Sequence, residues 1–240
     1  MAVTRDRATA GEIVRSLAFY GAFYGGSLVL IALTVVLLTL APARFRAMAD
    51  AWSAFHRLCL RHLLGIRIAV SGALPPGPVL VACKHESFFE AIDMPQLVAN
   101  PSVFAKAELM RIPLWGRAAA AYGLISVARE EGARTLRAMV AAARKLSQEG
   151  RPLVIFPEGT RVPHGQRPGL QAGFAGLYKL LGLPVVPVAV ASGTIYHRRW
   201  KRRGTIRILI GETIPAGLPR EEIEARVHLE INALNAARPA

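Results

Sequence analysis

The residues best suited to chemistry lie in one short segment, VACKHESFFEAID, in which His85 is followed by Glu86, Glu90 and Asp93. Histidine is the side chain most often used as a general base near neutral pH, and an adjacent carboxylate can hold its ring in one tautomer. Such a pair could take a proton from a hydroxyl group. Glu90 also closes a Ser-x-x-Glu pattern that starts at Ser87, which is typical of a helix capping box, so a purely structural role for Glu90 stays open.

Two further loops bring cations. One begins at Lys106, and the other is the run PEGTR, which ends at Arg161. An arginine or lysine beside a general base suits a phosphate group, although each could equally be an ordinary solvated charge.

The same segments argue against a metal site. The pattern His85-Glu86 would need a second histidine at Phe89 to form a zinc-protease motif. The two cysteines, Cys59 and Cys83, lie in apolar runs, so we expect reduced core residues and neither a disulfide framework nor a zinc site.

The elements that must position these loops alternate between strands and helices, which predicts an α/β fold with a largely parallel mixed sheet flanked by helices. Ligands of such sheets bind at the carboxyl ends of the strands, where the three loops would meet. We predict strands at 66–70, 79–83, 102–105, 124–127, 153–156, 185–190 and 206–210, and helices at 88–98, 114–122, 132–149, 170–181 and 220–236.

The N-terminal part carries no charged side chain between residues 16 and 43. As a helix this segment would be about 42 Å long, enough to cross a bilayer core of about 30 Å. It is longer than the apolar region of a signal peptide, so we predict an uncleaved membrane anchor. The next segment, residues 45–64, fits either an amphipathic helix on the membrane or a helix packed on the catalytic domain. The expected division is N-terminal membrane-anchoring helices at 1–63 and a catalytic domain at 64–240.

Composition agrees with a membrane-bound protein. Hydrophobic residues make up 52% of the 240, mean hydropathy is +0.33 and the net charge is +14. A basic chain of this kind fits an anionic membrane or a phosphorylated substrate. The block HRRWKRR at 197–203 is predicted to face the membrane; a solvated turn and a docking site for an acidic partner protein are the alternatives. A basic nucleic-acid-binding protein is a distant alternative, which the long apolar segment disfavours.

Four ordered blocks resemble the glycerolipid acyltransferases that act on lysophosphatidic acid, the 1-acyl-glycerol-3-phosphate acyltransferases. His85 and Glu90 match the His-x4-Asp block, and Lys106 opens the Lys-x-Glu-Leu-x-x-x-Pro-x-x-Gly block. The block Phe-Pro-Glu-Gly-Thr-Arg is complete at 156–161, and an apolar, proline-containing strand follows at 183–188. Arg129 corresponds to an arginine of the family. The resemblance extends from about residue 64 to residue 214.

The chain departs from the family pattern at three positions. Glu90 replaces the usual aspartate, Lys84 stands where asparagine is common, and Ala128 stands where an aspartate often precedes the arginine. These changes leave acyl transfer as the expected reaction but loosen the assignment of the acceptor.

The resemblance implies a glycerol-3-phosphate acyltransferase-like fold and transfer of an acyl group to the 2-hydroxyl of lysophosphatidic acid. Acyl-CoA or acyl carrier protein would be the donor, with no cofactor and no metal. It implies His85 and Glu90 as catalytic residues and the following residues as substrate-binding or loop-shaping: Lys106, Arg129, Glu158, Gly159, Thr160 and Arg161.

Another acceptor is the nearest alternative: a lyso-ornithine lipid, another lysophospholipid or glycerol-3-phosphate. A further alternative is a membrane protein that keeps this fold but has no enzymatic activity. We expect membrane lipid as a partner, no nucleic acid, and a location in the bacterial inner membrane with the catalytic domain on the cytoplasmic side. Acyl-chain length and oligomeric state are not encoded in these patterns.

Overall fold

The computed structural model describes residues 8–127 and 132–235. Within them, seven strands form one sheet in the order β1-β7-β6-β2-β5-β3-β4. All neighbouring strands are parallel except β6 and β7, so β7 and its parallel partner β1 run opposite to the other five. The strands are β1 (Ile66–Ser71), β2 (Leu80–Cys83), β3 (Ser102–Lys106), β4 (Ile125–Val127), β5 (Leu153–Ile155), β6 (Val185–Ala191) and β7 (Gly204–Ile210). The predicted α/β fold with a largely parallel mixed sheet is confirmed.

Helices cover both faces of this sheet. They are α1 (Ala10–Leu40), α2 (Pro42–Cys59), α3 (Phe88–Leu97), α4 (Trp115–Tyr122), α5 (Gly132–Gln148), α6 (Gly173–Leu181) and α7 (Arg220–Ile231). A π-helical turn at Leu60–Leu64 extends α2, and short 3-10 turns lie at Leu109–Arg111 and Ala233–Asn235.

The central strands are apolar on both sides because both of their faces are covered. Every residue of β2 and β6 is buried. Since side chains alternate along a strand, Val81 and Cys83 join a core with α1, α2 and α3, whereas Leu80 and Ala82 join a second core with α5, α6 and α7. Uninterrupted apolar runs of this kind are typical of strands buried in parallel sheets.

The N-terminal helices belong partly to the first core. Phe19 and Phe23 of α1 are buried in the same cluster as Val81, and Trp52 of α2 donates a hydrogen bond to Ser27 Oγ at 2.9 Å. Cys59 and Leu60 are buried in the same cluster, and Arg57 pairs with Asp93 of α3, so the segment 45–64 packs on the catalytic domain, the second of its two interpretations. The division at residue 63/64 stays a prediction.

The opposite side of α1 exposes large apolar side chains, among them Leu17, Leu28, Val29 and Leu40. The segment Ala10–Leu38 is long and apolar enough to cross a membrane, and most of it is not buried in the protein. This finding agrees with the predicted membrane anchor.

Several boundaries differ from the expectation. The predicted helix 170–181 begins only at Gly173, because the Gln171 amide donates to the Pro157 carbonyl at 2.9 Å and thereby holds the chain against the loop after β5. The predicted helix 220–236 ends at Ile231 and continues as a 3-10 turn. Strand β7 begins two residues early, because Gly204 pairs with Ile66 of β1.

Candidate active site

The carboxyl ends of β2, β5 and β3 lie side by side, because these three strands are adjacent and parallel. The loops that leave them therefore share one edge of the sheet, as the sequence indicated. Strand β6, on the other side of β2, contributes the residues that follow Ala191 to the same edge.

His85 and Glu90 are brought together directly behind β2. Nδ1 of His85 lies 3.2 Å from Oε2 of Glu90, whose side chain is buried, while the histidine side chain keeps 16% of its surface exposed. The ring of His85 stacks on Phe156 with a centroid distance of 4.2 Å. The aromatic ring fixes one face of the imidazole, and the carboxylate fixes one of its nitrogens.

The capping interpretation of Glu90 is also correct. Glu90 is the third residue of α3, and its Oε2 accepts a hydrogen bond from the Ser87 amide at 2.9 Å. The Ser87 hydroxyl in turn accepts from the Phe89 amide at 3.1 Å. The Ser192 hydroxyl, behind β6, donates to Oε1 of Glu90. One carboxylate thus caps the helix and faces the imidazole, so the two roles do not exclude each other.

The other two acids near His85 are occupied elsewhere. Asp93 forms a bidentate ion pair with Arg57 of α2, at 2.6 and 2.7 Å. Glu86 lies 2.8 Å from Nδ1 of His164 and accepts from the amides of Ser192 and Gly193, at 2.9 and 2.7 Å. Burial raises the pKa of both carboxyls, although these donors act in the opposite direction.

The substrate-binding candidates are distributed unevenly. Lys106, Gly159, Thr160 and Arg161 line the same cavity as His85. The Arg161 guanidinium lies 4.0 Å above the ring of Phe88, the first residue of α3. Arg129 lies outside the described residues.

Glu158 does not line this cavity, because it points into the protein. Its Oε1 pairs with Lys84 Nζ at 2.5 Å, and both side chains are fully buried. Lys84 also donates to the Gln166 carbonyl at 3.1 Å and to Asn232 Oδ1 at 2.9 Å. Glu158 therefore shapes the loop after β5 from beneath, with a lysine at a position where the family often has asparagine.

The cavity beside His85 has a volume of about 1020 Å³ and mostly apolar walls. It extends between the N-terminal helices and the catalytic domain, and its polar lining residues include His85, Lys106, Thr160 and Arg161. Its walls come from α1 to α6, and they include Leu30, Ile31, Phe45, Met48, Trp52, Ile92, Phe104, Tyr122, Met139 and Phe174.

Sequence reasoning missed Ser192, His164 and Asn232. None of them belongs to a recognisable motif, and each reaches the site from a distant part of the chain. The one available signal was that Ser192-Gly193 directly follows a fully apolar strand, at the ligand-binding edge. Among the described residues, no group of three or more His, Cys, Asp or Glu side chains could hold a metal ion. Cys59 and Cys83 are buried free thiols, as predicted.

The basic block at 197–203 lies against the first half of α1. The Lys201 amide donates a hydrogen bond to Ser16 Oγ at 2.8 Å. The Tyr20 hydroxyl donates a hydrogen bond to the Arg199 carbonyl at 2.5 Å. Lys201 is buried with its Nζ 3.9 Å from the Tyr196 ring centroid, so this residue does not face a membrane. Burial lowers the pKa of Lys201 to about 8. Arg199 is exposed beside α1.

The fold and the site together define an α/β protein with a histidine–carboxylate pair at an apolar cavity, an arrangement suited to activating a hydroxyl group on a lipid-like substrate. A family model described as Acyltransferase matches residues 66–191, more than half of the chain. The chain belongs to the acyltransferase family and is an acyltransferase.

Individual relatives agree with this membership. The 1-acyl-sn-glycerol-3-phosphate acyltransferase of Pseudomonas aeruginosa is 29% identical over 211 residues, which are 85% of this chain and 82% of the relative. The human 1-acyl-sn-glycerol-3-phosphate acyltransferase alpha is 28% identical over 176 residues, which are 70% and 62% of the two chains.

A solved structure gives the same fold. The crystal structure of the 1-acyl-sn-glycerophosphate (LPA) acyltransferase PlsC from Thermotoga maritima superposes with a TM-score of 0.70 at 20% identity. The match covers 95% of this chain and 98% of that chain, so the N-terminal helices are included.

Proposed function

We propose that this chain transfers a fatty acyl group from a thioester to the 2-hydroxyl of 1-acylglycerol 3-phosphate, which yields phosphatidic acid for phospholipid synthesis. The observation that carries the proposal is the His85–Glu90 pair on the wall of a large apolar cavity that Lys106 and Arg161 also line. The names of the relatives supply the acceptor.

The first step is proton removal by His85. The carboxylate of Glu90 accepts a hydrogen bond from Nδ1–H of the imidazole, which leaves the lone pair of Nε2 free to take the proton of the substrate hydroxyl. The hydroxyl oxygen then attacks the thioester carbonyl and forms a tetrahedral intermediate. General-base assistance of this kind is worth about 10²–10⁴-fold in rate.

The second step is collapse of the intermediate. The carbon–sulfur bond breaks, the thiolate leaves, and the imidazolium of His85 returns the proton to the sulfur. The products are an ester and a free thiol, so atoms and charge balance without an acyl-enzyme. Glu90 stabilises the imidazolium while it exists, as the acid of a catalytic triad does.

The acceptor phosphate has two candidate ligands among the described residues. Lys106 and Arg161 are exposed and line the cavity from the β3 and β5 sides. Arg129 remains a third candidate by resemblance. Gly159 and Thr160 form the turn that presents Arg161, and Glu158 fixes this turn through its buried pair with Lys84.

The apolar cavity gives the acyl chains a place away from water. Its volume of about 1020 Å³ is at the upper end of the range of small-molecule cavities, about 300–1,000 Å³. Since its walls include Leu30, Phe45 and Trp52 of the N-terminal helices, a lipid could enter from the side that faces the membrane.

The exposed apolar side of α1 supports association with a membrane. We place the protein at the bacterial inner membrane with the catalytic domain in the cytoplasm, where thioester donors are made. The Arg and Lys residues near the ends of α1 give only a slight bias in this direction.

The test is complementation of a strain that lacks lysophosphatidic acid acyltransferase, followed by lipid analysis. Growth with restored phosphatidic acid is the expected result, and a His85→Ala chain expressed at the same level is the control. Growth supported equally by both chains would contradict the mechanism. Purified chain that acylates a lyso-ornithine lipid or glycerol-3-phosphate faster than 1-acylglycerol 3-phosphate, at equal concentration, would contradict the acceptor.

A further inference from the structure

A second cavity, of about 890 Å³, lies between the end of α2 and the first residues of β1 and β7. Five of its lining residues are basic: Arg57, Arg61, His62, Arg67 and Arg203. None of its lining residues is acidic. The family resemblance accounts for none of these positions, since all five precede or follow the motif blocks.

Most of these cations have no counter-charge. Arg57 is paired with Asp93, but within residues 8–127 and 132–235 the guanidinium groups of Arg61, Arg67 and Arg203 form no ion pair or hydrogen bond. Like charges gathered around one cavity repel each other, and their donors are free to bind an anion. Arginine forms paired hydrogen bonds with phosphate oxygens, so phosphate is the anion that this arrangement suits best.

The backbone holds this arrangement in place. Gly65 ends the π-helical turn with φ of +66°, and a Cβ at this position would lie 2.8 Å from Nε of Arg203. The absence of a side chain therefore lets Arg203 lie across the turn. Parallel pairing of β1 with β7 sets Arg67 opposite Thr205, so the sheet register fixes the two sides of the cavity.

The cavity lies at the same edge of the sheet as the candidate active site. Because β7 is antiparallel to β6, the first residues of β1 and β7 are at the edge where β2 and β6 end. Strand β1 is three positions from β2 in the sheet, about 14 Å at the usual strand spacing. Arg57 also connects the cavity to α3, the helix that carries Glu90. An extended ligand could have one end here and the other at His85.

We propose that this cavity binds the adenosine bisphosphate end of an acyl-CoA donor. The inference rests on the proposed acyl transfer and identifies the donor class. Three unpaired arginines are more than a single phosphate group needs. They match the number of phosphate groups at the adenosine end of coenzyme A, which has a diphosphate and a separate 3′-phosphate. A pocket of about 890 Å³ is within the size range of small-molecule sites, about 300–1,000 Å³, which favours a small molecule over an acidic carrier protein. Its lining offers only Ile66 and Ile68 as large apolar residues, which does not suit the acyl chains of a lipid.

The test is binding of adenosine 3′,5′-bisphosphate to the purified full chain by calorimetry. An Arg67→Gln/Arg203→Gln chain is the variant, and Lys179→Gln/Arg226→Gln is the matched control, which removes two positive charges from the exposed surface of α6 and α7. We expect saturable binding to the wild-type and control chains and at least about tenfold weaker binding to the variant, since charge-assisted contacts are lost. Absence of binding to the wild type, or equal binding to all three chains, would overturn the proposal.

Kinetics separate the donor site from other functions. Adenosine 3′,5′-bisphosphate should inhibit the wild type competitively against acyl-CoA, a result that needs no variant to fold. The variant should raise KM for acyl-CoA by about tenfold or more, with a smaller rise for an acyl carrier protein thioester, which lacks the adenosine bisphosphate. Equal rises for both donors would overturn the proposal.

Vesicles distinguish a lipid headgroup as the source of phosphate. If the variant loses binding to vesicles with 30% phosphatidylglycerol while its affinity for the bisphosphate is unchanged, the cavity binds lipid and the donor assignment is wrong. Binding of the bisphosphate is measured without acyl transfer, so the two proposals can fail independently. Failure of the proposed reaction would appear as absence of product from the wild-type chain.

Discussion

Two histidine–glutamate pairs meet at the end of β6, and they differ in what surrounds the histidine. His85 faces Glu90, and His164 faces Glu86, at 3.2 and 2.8 Å. Both glutamates are buried and both accept a hydrogen bond from Ser192, Glu90 from its hydroxyl and Glu86 from its amide. A contact between imidazole and carboxylate is therefore common to the two pairs.

Access to the cavity separates them. His85 lines the apolar cavity and stacks on Phe156, whereas His164 is not among the lining residues. The carboxylate of Glu86 accepts two backbone amides, so it connects the loop after β2 to the loop after β6. The shorter of the two histidine–carboxylate contacts is the one away from the cavity, so contact distance alone does not identify the pair that can meet a substrate.

The largest expected difference is between the two histidines. His85→Ala should lower kcat by about 10²–10⁴-fold, because it removes the general base. His164→Ala should change kcat by less than about fivefold, since it removes only a contact to a structural carboxylate. Acyl transfer assayed with labelled thioester measures both, and a loss of activity in His164→Ala that equals the loss in His85→Ala would break the comparison.

The second difference concerns the two substitutions of Glu90. In Glu90→Gln the amide can donate to Nδ1 and so favour the wrong tautomer, for which we expect a fall in kcat of about 10²-fold or more. Glu90→Asp keeps an acceptor and should retain most activity, in keeping with the aspartate usual in the family. Melting temperatures measured beside kcat provide the control, since the loss of a helix cap costs only about 0.5–2 kcal/mol. A Gln chain that is less stable yet fully active would show that Glu90 is only a cap.

The third prediction concerns Glu86, for which we expect a loss of stability without a comparable loss of activity. Glu86→Ala removes the acceptor of the buried Ser192 amide and of the half-buried Gly193 amide, and the orphaned Ser192 amide alone should cost about 1–3 kcal/mol of unfolding free energy. Chemical denaturation measures this loss. Activity per folded molecule should stay within a few-fold of the wild type, and a stable but inactive Glu86→Ala chain would place Glu86 in the catalytic machinery.

The smallest effect is a pH dependence. Burial raises the pKa of Glu86 above its ordinary 4.5, so the folded state binds its proton more tightly than the unfolded state. The contribution of this carboxyl to stability is then fully present below pH 4.5 and is lost as pH rises through the raised pKa. The stability advantage of wild type over Glu86→Gln should therefore shrink with rising pH. Denaturation in a His164→Ala background isolates the carboxyl, and an advantage that grows with pH would contradict the assignment.

The parts of this site that sequence could predict are local ones. The Ser-x-x-Glu spacing predicted the helix cap, because Glu90 lies within one helical turn of Ser87, and the resemblance to the His-x4-Asp block indicated Glu90 as the partner of His85. The continuous apolar residues of β2 and β6 indicated buried strands, and the alternation of elements indicated the class of sheet. Local spacing and burial are properties that a single segment carries by itself.

The remainder depends on pairing between distant segments. The order of strands and the reversal of β1 and β7 are set by long-range contacts that no single segment encodes. For the same reason the sequence did not predict the contact of Ser192 with Glu90, 102 residues apart, or the contact of His164 with Glu86, 78 residues apart. The sequence showed Lys84 only as a departure from the family pattern. Its ion pair with Glu158 could not be predicted, because it depends on the pairing of β2 with β5.

The proposed mechanism requires that Glu90 hold a proton on Nδ1 of His85 and leave Nε2 free to act as the base. Selective 15N labelling of histidine, with the His85→Gln chain to assign the signal, measures which ring nitrogen is protonated at neutral pH. We expect a protonated Nδ1 and a bare Nε2 in the wild type, with the proportions shifted in Glu90→Gln. A protonated Nε2 as the main form in the active wild-type enzyme would contradict it.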